Sequence, residues 1–240
     1  MRAAFIFLTT IPIPIAPADE HGYARAASYF PLVGAVVGLC VAALDLVLSQ
    51  LVPVQVVSVL DLVCLAALSG GLHLDGLADS ADGLLMVGDR SQRLAAMADS
   101  RSGAFGVAAI VLVLLTEAAA LSSVAGPFRV ETLVAAGALS RWSMTAVLAL
   151  FPSAKADGLA ASFKRKLSAR DLIVATAIAA VVAAILGLGA LAAFAVAATI
   201  AALCGAFARA RIGGVSGDVC GGVGELVFAG ELVLASALYR

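Results

Sequence analysis

The sequence predicts an all-α, polytopic helical membrane protein. Hydrophobic residues make up 62% of the 240 residues and charged residues only 13%, and the mean hydropathy is +1.08. Several windows of about twenty apolar residues are long enough to cross the hydrocarbon core of a bilayer. The 23 glycines suit close helix–helix packing in lipid. We expect about seven transmembrane helices, together with short cytoplasmic and interfacial helices.

The first apolar run predicts an interfacial or re-entrant entry segment, because Pro12, Pro14 and Pro17 interrupt it. The transmembrane spans follow from the apolar windows. They are placed at residues 31–52, 54–72, 104–125, 130–151, 171–187, 189–207 and 221–238.

The C-terminal third of the chain is predicted to contain three spans. The apolar run 171–207 is too long for one crossing at about 1.5 Å per residue, and Gly187 and Gly189 favour a turn within it. The last span is the weakest, since Glu225 and Glu231 interrupt it.

The basic residues predict the orientation of the spans. Of the 15 Lys and Arg residues, 12 fall in predicted loops on one side of the membrane, which the positive-inside rule places in the cytoplasm. These 12 are Arg2, Arg25, Arg90, Arg93, Arg101, Lys155, Lys164, Arg165, Lys166, Arg170, Arg209 and Arg211. Arg129 and Arg240 are assigned to the opposite side, and Arg141 to a span. A net charge of −1 without a long basic run gives no indication of nucleic-acid binding.

Three aspartates in this apolar chain form the strongest functional signal. Asp75, Asp79 and Asp82 are spaced i, i+4 and i+7, so at about 100° per residue they share one face of a helix. Carboxylates this close repel one another unless a cation neutralises them. Their hard oxygens favour Mg²⁺, with Mn²⁺ as an alternative. The competing interpretation is a solvated face of a cytoplasmic helix, although the lysines typical of such a face are missing.

The rest of this acidic segment, residues 73–103, supplies further candidates. Asp89 or Ser91 is expected to cap a short helix RLAAMADS, after which Asp99 would bring a fourth carboxylate toward the first three. Arg101 would donate to a phosphate, or it would only anchor the next span. Carboxylates holding Mg²⁺ beside an arginine suit phosphoryl transfer. His73 is either a base, an outer ligand of the metal site, or a packed, hydrogen-bonded histidine.

Ionisable residues inside predicted spans are functional candidates by default. Asp45, Asp61 and Glu117 lie near span interiors or ends, where a partner within the bundle would account for them. Arg141, in the motif SRWSM, is expected either to pair with one of these acids or to line a polar cavity beneath the active site.

A second cytoplasmic segment runs from Arg209 to Asp218. Arg209 and Arg211 supply two cations and Asp218 another acid, while the glycines between them let backbone approach a ligand closely. A plain glycine loop is the alternative.

Together these motifs resemble those of the adenosylcobinamide-GDP ribazoletransferases, also called cobalamin synthases. The likeness covers nearly the whole chain. It comprises FLTTIPIP, YFPLVGAVVG, GLHLDGLADSADG, MADSRSGAFG, SRW and GGVSGDVCGGVGE. The block HLDGLADSADG is the specific part. The stretch from Asp79 to Gly83 also resembles the start of the CDP-alcohol phosphotransferase motif, but Met86 and Val87 stand where that motif continues with Ala-Arg, which argues against a lipid synthase.

The resemblance implies an enzyme of the bacterial inner membrane, a single catalytic domain over residues 1–240 whose acidic segment faces the cytoplasm. A ribose hydroxyl of α-ribazole, or of its 5′-phosphate, would attack the phosphorus nearer the cobinamide in adenosylcobinamide-GDP. GMP would leave, and a phosphodiester would remain in the product. An ion-coupled transporter is the alternative from another class, disfavoured because no internal repeat is present and the acids cluster in one loop.

The resemblance also implies roles for individual residues. Mg²⁺ on the pyrophosphate would be bound by Asp75, Asp79, Asp82 and Asp99. The expected catalytic residues are Asp82, Asp99, Arg101 and His73, with Asp99 as a metal ligand or base and Arg101 stabilising transition-state charge. The expected substrate contacts are Arg101, Arg209 and Asp218.

Overall fold

The computed structural model describes residues 1–12, 25–187 and 189–240, and it confirms the all-α prediction. The α-helices in these ranges are α1 (Arg2–Leu8), α2 (Phe30–Leu48), α3 (Val54–Ser69), α4 (Leu72–Leu85), α5 (Arg90–Ala96), α6 (Ala104–Ser123), α7 (Gly126–Leu150), α8 (Leu159–Lys166), α9 (Ala169–Ala183), α10 (Gly189–Ile212) and α11 (Gly217–Leu238). Short 3₁₀ helices, Ala26–Tyr29 and Ala184–Leu186, precede α2 and follow α9. An isolated parallel bridge joins Ser153 to Val215.

The described helices include six that are long and apolar enough to cross a bilayer. These are Ala26–Leu48, Ala104–Ser123, Gly126–Leu150, Ala169–Leu186, Gly189–Ile212 and Gly217–Leu238. Helices α3 and α4 pass the same test only as a pair, which is bent by 90° at its break. With that pair counted as one span there are seven, in agreement with the predicted polytopic architecture.

Two consecutive glycines form the bend between α3 and α4. Gly70 has φ of 62° and Gly71 of 72°, in the left-handed region that glycine adopts without strain. The predicted span 54–72 therefore ends at Ser69. Helix α4 has 14 residues and is about 21 Å long, shorter than the hydrocarbon core of about 30 Å. Of the bent pair we therefore take α3 as the part that crosses the membrane and α4 as lying outside it.

The start of α7 differs from the predicted boundary near residue 130. The helix begins at Gly126, and Pro127 in its first turn favours a helix start there, because proline lacks the N–H that would be unsatisfied anyway. Arg129, which the charge pattern assigned to an outer loop, is consequently a buried helical residue.

The segment from Arg209 to Asp218 is mostly helical rather than a glycine loop. Helix α10 continues to Ile212, past the predicted end at 207, and α11 begins at Gly217 instead of 221. Glu225 and Glu231 do not interrupt α11, and both are buried within the bundle. An apolar environment tolerates such acids where they face protein rather than lipid.

The predicted entry segment is only partly described. Helix α1 is short, and the chain after it is attached to the end of α3. The Thr10 N–H donates to the Leu68 carbonyl at 2.8 Å, and the Thr10 hydroxyl donates to the Ala67 carbonyl at 3.0 Å. Pro14 and Pro17 lie outside the described residues.

Helices α7 and α11 form the centre of the bundle. Within the membrane-spanning stretch of each helix, 78% of α7 and 72% of α11 is buried, against 22% of α6, of α9 and of α10. Glycines bring α2 and α7 into backbone contact, since a Cβ on Gly34 would lie 2.0 Å from the Gly137 carbonyl oxygen. Small residues at such crossings are the packing device of membrane helices.

A buried ion group joins α2, α3 and α7. Arg129 donates through Nε to Asp45 at 2.7 Å and through Nη2 to Asp61 at 3.1 Å, and Ser58 accepts from the same guanidinium at 3.3 Å. All four side chains are enclosed. The acids Asp45 and Asp61 thus pair with Arg129, which leaves Glu117 as the predicted partner of Arg141 among the three acids.

Candidate functional site

The aspartate-bearing helix α4 packs against the first turns of α6 and α11. Glycine permits this contact, since a Cβ on Gly76 would lie 2.7 Å from the backbone oxygen of Asp218. A Cβ on Gly222 would lie 3.1 Å from the Cα of Leu77. The two helices therefore meet backbone to backbone, and their acidic residues come together at one place.

Asp82 binds the N-terminus of α6. Its carboxylate accepts the N–H of Gly103 at 2.6 Å and the N–H of Gly106 at 2.8 Å. Carboxylates are favoured at helix N-termini, where the first N–H groups have no partner within the helix. This contact fixes the position of α4 relative to α6, and local spacing along the sequence could not reveal it.

Asp79 lies at the centre of a group of four carboxylates. Partial burial, followed by the charges of Asp75, Asp218 and Asp82, raises the pKa of Asp79 to about 6. No cation is among the causes of this shift. Like charges therefore accumulate around Asp79, which favours binding of a cation. Asp218, predicted only as a substrate contact, belongs to this group.

The described residues contain no three His, Cys, Asp or Glu side chains already arranged to hold a metal ion. Mg²⁺, however, is usually bound by one or two carboxylates together with water and substrate phosphates, rather than by a complete protein cage. The hard oxygens of Asp75, Asp79 and Asp218, and the like charges around Asp79, fit an ion of that kind.

Asp99 and Arg101 bind each other. Arg101 donates from Nε at 3.0 Å and from Nη2 at 2.8 Å to the Asp99 carboxylate, and these bonds with the Arg101 guanidinium and N–H lower the pKa of Asp99 to about 2. A carboxylate of such low pKa is a weak base. The partner that the structure gives the Asp99 carboxylate is Arg101, and its predicted place beside the three α4 aspartates stays a prediction.

His73 faces the interior of the bundle. The ring is enclosed, and its Nδ1 lies 3.3 Å from Nη2 of Arg141. Arg141 also donates to Ser140 at 2.9 Å. Of the acids predicted as partners of Arg141, Glu117 is close enough for its charge to act on the Arg141 guanidinium. Glu225, which was not among them, is also close enough. This geometry matches the packed, hydrogen-bonded histidine among the predicted alternatives.

Two arginines of α5 hold the surrounding segments in place. Arg90 donates to the carbonyls of Ile212 at 2.8 Å and Ala154 at 2.5 Å. Arg93 is buried and donates to the Leu84 carbonyl at 2.7 Å, which satisfies the C-terminal end of α4. The sequence pattern indicated only loop cations at both positions.

Asp89, one of the two predicted caps, caps α5, but the helix spans Arg90–Ala96 instead of the predicted RLAAMADS at residues 93–100. Asp89 accepts the Gln92 N–H at 2.9 Å, and the Gln92 side chain accepts the Asp89 N–H at 2.9 Å, forming a capping box. Ser91 donates its hydroxyl to the same carboxylate at 2.7 Å.

Lys155 is the cation that the structure brings to this site. Its charge acts on Asp218, and its segment is held by the bridge from Ser153 to Val215 and by an Ala154 N–H that donates to the Val215 carbonyl at 2.9 Å. Arg209 is exposed in the last turn of α10, and it is not among the groups that act on Asp79 or Asp218.

A cavity of about 580 Å³, including its open mouth, adjoins the carboxylates. Asp75 and Asp218 line one side of it, and three phenylalanines line another. Its full lining is Phe7, Phe30, Leu72, Asp75, Gly76, Met144, Leu148, Ala160, Phe163, Gly217, Asp218, Cys220 and Gly221.

The fold and this site define a polytopic α-helical membrane protein with a carboxylate-rich site where α4 meets the first turns of α6 and α11. A family model described as cobalamin-5-phosphate synthase matches residues 1–236. The chain belongs to this family, as the resemblance predicted, and is an enzyme of the cobalamin synthase class.

Curated relatives match over nearly their full lengths, and each is named adenosylcobinamide-GDP ribazoletransferase. The protein of Geotalea daltonii is 37% identical over 225 residues, which cover 93% of this chain and 91% of the relative. That of Desulforamulus reducens is 34% identical, with 95% and 92% covered. An Escherichia coli relative is 33% identical, with 98% and 97% covered. No solved structure matches the chain.

Proposed function

We propose that this chain is a Mg²⁺-dependent transferase that joins adenosylcobinamide-GDP to α-ribazole or α-ribazole 5′-phosphate. The products are adenosylcobalamin or its 5′-phosphate, and GMP. The observation that carries the proposal is the group Asp75, Asp79 and Asp218, of which Asp75 and Asp218 line the cavity, in a chain whose relatives bear this enzyme name. Family membership favours this reaction over lipid synthesis or ion transport.

In the proposed reaction, a ribose hydroxyl gives up its proton to water, and its oxygen forms a bond to the phosphorus nearer the cobinamide. The bond from that phosphorus to the bridging oxygen breaks, and GMP leaves with that oxygen. Asp75, Asp79 and Asp218 would hold Mg²⁺, which when bound offsets the charge of the diphosphate. The protein otherwise positions the reactants, since phosphoryl transfer depends mainly on positioning and charge.

The remaining residues support this arrangement. Asp82 keeps α4 against α6 through two backbone bonds. Asp99 orients Arg101, whose side chain is 87% exposed and accessible to a substrate phosphate. With Asp99 tied to Arg101, we assign it this orienting role in preference to that of base.

We place the site at the cytoplasmic face of the bacterial inner membrane. The proposal is supported by three cations of neighbouring segments. Arg90 donates to the end of α10, Arg93 donates to the end of α4, and the charge of Lys155 acts on Asp218. All three belong to the basic set that the positive-inside rule assigns to the cytoplasm.

Purified full-length protein in detergent or lipid tests the proposed function. Adenosylcobinamide-GDP and α-ribazole should give GMP and a corrinoid product with Mg²⁺ but not with a chelator present. Parallel assays with α-ribazole 5′-phosphate would identify the preferred acceptor. A folded protein that forms no product from either acceptor would contradict the proposal, and CDP-linked alcohols would be assayed next.

Lys155 is expected to contact a phosphate of the nucleotide substrate. Lys155→Ala should raise KM for adenosylcobinamide-GDP by about tenfold, because a hydrogen bond from a charged donor is lost, and Lys155→Arg should restore most of it. The matched control is Arg170→Ala, which removes an exposed cation at the start of α9. Equal KM values for the two alanine variants would contradict this assignment.

A further inference from the structure

The cavity beside the carboxylates has two chemically different sides. Asp75 and Asp218 provide the acidic side. Phe7 of α1, Phe30 of α2 and Phe163 of α8 provide the other, and they form a three-ring cluster. The Phe7 ring stacks on Phe30 with centroids 5.8 Å apart and meets Phe163 at 5.2 Å.

The aromatic side offers few hydrogen-bonding groups. Apart from the two aspartates, the side chains that line the cavity are Phe, Leu, Met, Ala and Cys, with glycines between them. A flat ring with little polar edge gains from burial against phenylalanines. A guanine base would lose hydrogen bonds to water that this lining does not replace.

The extent of the cavity also discriminates between the proposed substrates. Its space of about 580 Å³ includes the open mouth, so the enclosed part is smaller. A corrinoid carrying a nucleotide is far larger than this and must lie mostly outside, whereas a planar base can enter.

We propose that this cavity binds α-ribazole, with its benzimidazole base against Phe7, whose ring packs on Phe30 and Phe163, and its ribose at Asp75 and Asp218. The inference rests on the proposed function and assigns one of its two substrates to a subsite. It places the attacking hydroxyl beside the carboxylates, so the diphosphate approaches from the open side.

Phe7 is the residue through which to test this, since it is half-buried while Phe30 and Phe163 are enclosed. Phe7→Ala should raise KM for α-ribazole about tenfold and leave KM for adenosylcobinamide-GDP unchanged. Phe7→Leu should give a smaller rise in the same KM. The matched control is Phe5→Ala, which removes a partly buried ring from the same helix but not from the cavity lining.

An equilibrium measurement separates this inference from the proposed function. Titration calorimetry with α-ribazole alone should show equal binding to the unmodified protein and to Phe5→Ala. Binding to Phe7→Ala should be about tenfold weaker, and binding to Phe7→Leu should be measurably weaker. The affinity of guanosine for the unmodified protein should be no higher than the affinity of guanosine for Phe7→Ala. If the protein binds α-ribazole through Phe7 but makes no corrinoid product, the proposed reaction fails and the subsite stands. If α-ribazole binds the Phe7 variants as well as the unmodified protein, or KM for the corrinoid rises instead, the subsite is overturned even when turnover is intact.

Discussion

Asp79→Asn should lower the transferase kcat by about 10²- to 10³-fold, the loss expected when one preorganised charge is removed from a transition-state site. Asp79 lies among three other carboxylates that act on it, so its charge is central to binding a cation. The same substitution removes repulsion between like charges. The variant should therefore be at least as stable as the unmodified protein, which an unfolding curve in detergent would show alongside the assay.

Asp157→Asn is the control for this experiment, because Asp157 is exposed in the link before α8. It should retain full activity. An Asp79→Asn enzyme with near-normal kcat would exclude the proposed role of this carboxylate. Loss of activity together with a lower unfolding temperature would indicate a structural role instead.

Arg129→Met should lower the free energy of unfolding by about 3–5 kcal/mol, as is found when one partner of a buried ion group is removed. Asp45 and Asp61 would be left enclosed without their cation, since Arg129 forms ion pairs with both. Unfolding in mixed micelles would measure the loss. Arg240→Met, at the exposed C-terminal residue, is the control and should change stability little.

The cost in Arg129→Met should come from the uncompensated acids rather than from the missing arginine itself. The triple variant with Asp45→Asn and Asp61→Asn should therefore recover most of the lost stability. A triple variant no more stable than the single one, or a single variant within about 1 kcal/mol of the unmodified protein, would show that packing, not charge, dominates here.

The periodicity of the sequence was sufficient to predict much of α4. The spacing of Asp75, Asp79 and Asp82 placed them on one helix face. The glycine bend before α4, and the packing of α4 on its neighbours, bring that face to the site. The contact of Asp82 with Gly103 and Gly106 depends on how α4 packs on α6. Spacing within a helix carries no information about such a partner.

The long-range partners were the harder part to predict. The sequence showed single acids in the spans and an arginine in one of them, but several pairings were equally consistent with it. Only the packing of α2, α3 and α7 brings Asp45 and Asp61 to Arg129. The position of Arg129 was recoverable in part, because the Gly126-Pro127 pair before it is a recognised signal for a helix start.

The backbone contact between Gly76 and Asp218 also bears on how the enzyme is made. Helix α4 ends at Leu85 and α11 begins at Gly217, so more than half of the 240 residues are synthesised between them. Until α11 emerges from the ribosome, the aspartates of α4 lack one of their neighbours and the cavity lacks a wall. The carboxylate group is therefore completed only after α11 has been made, and chains that terminate before α11 lack it.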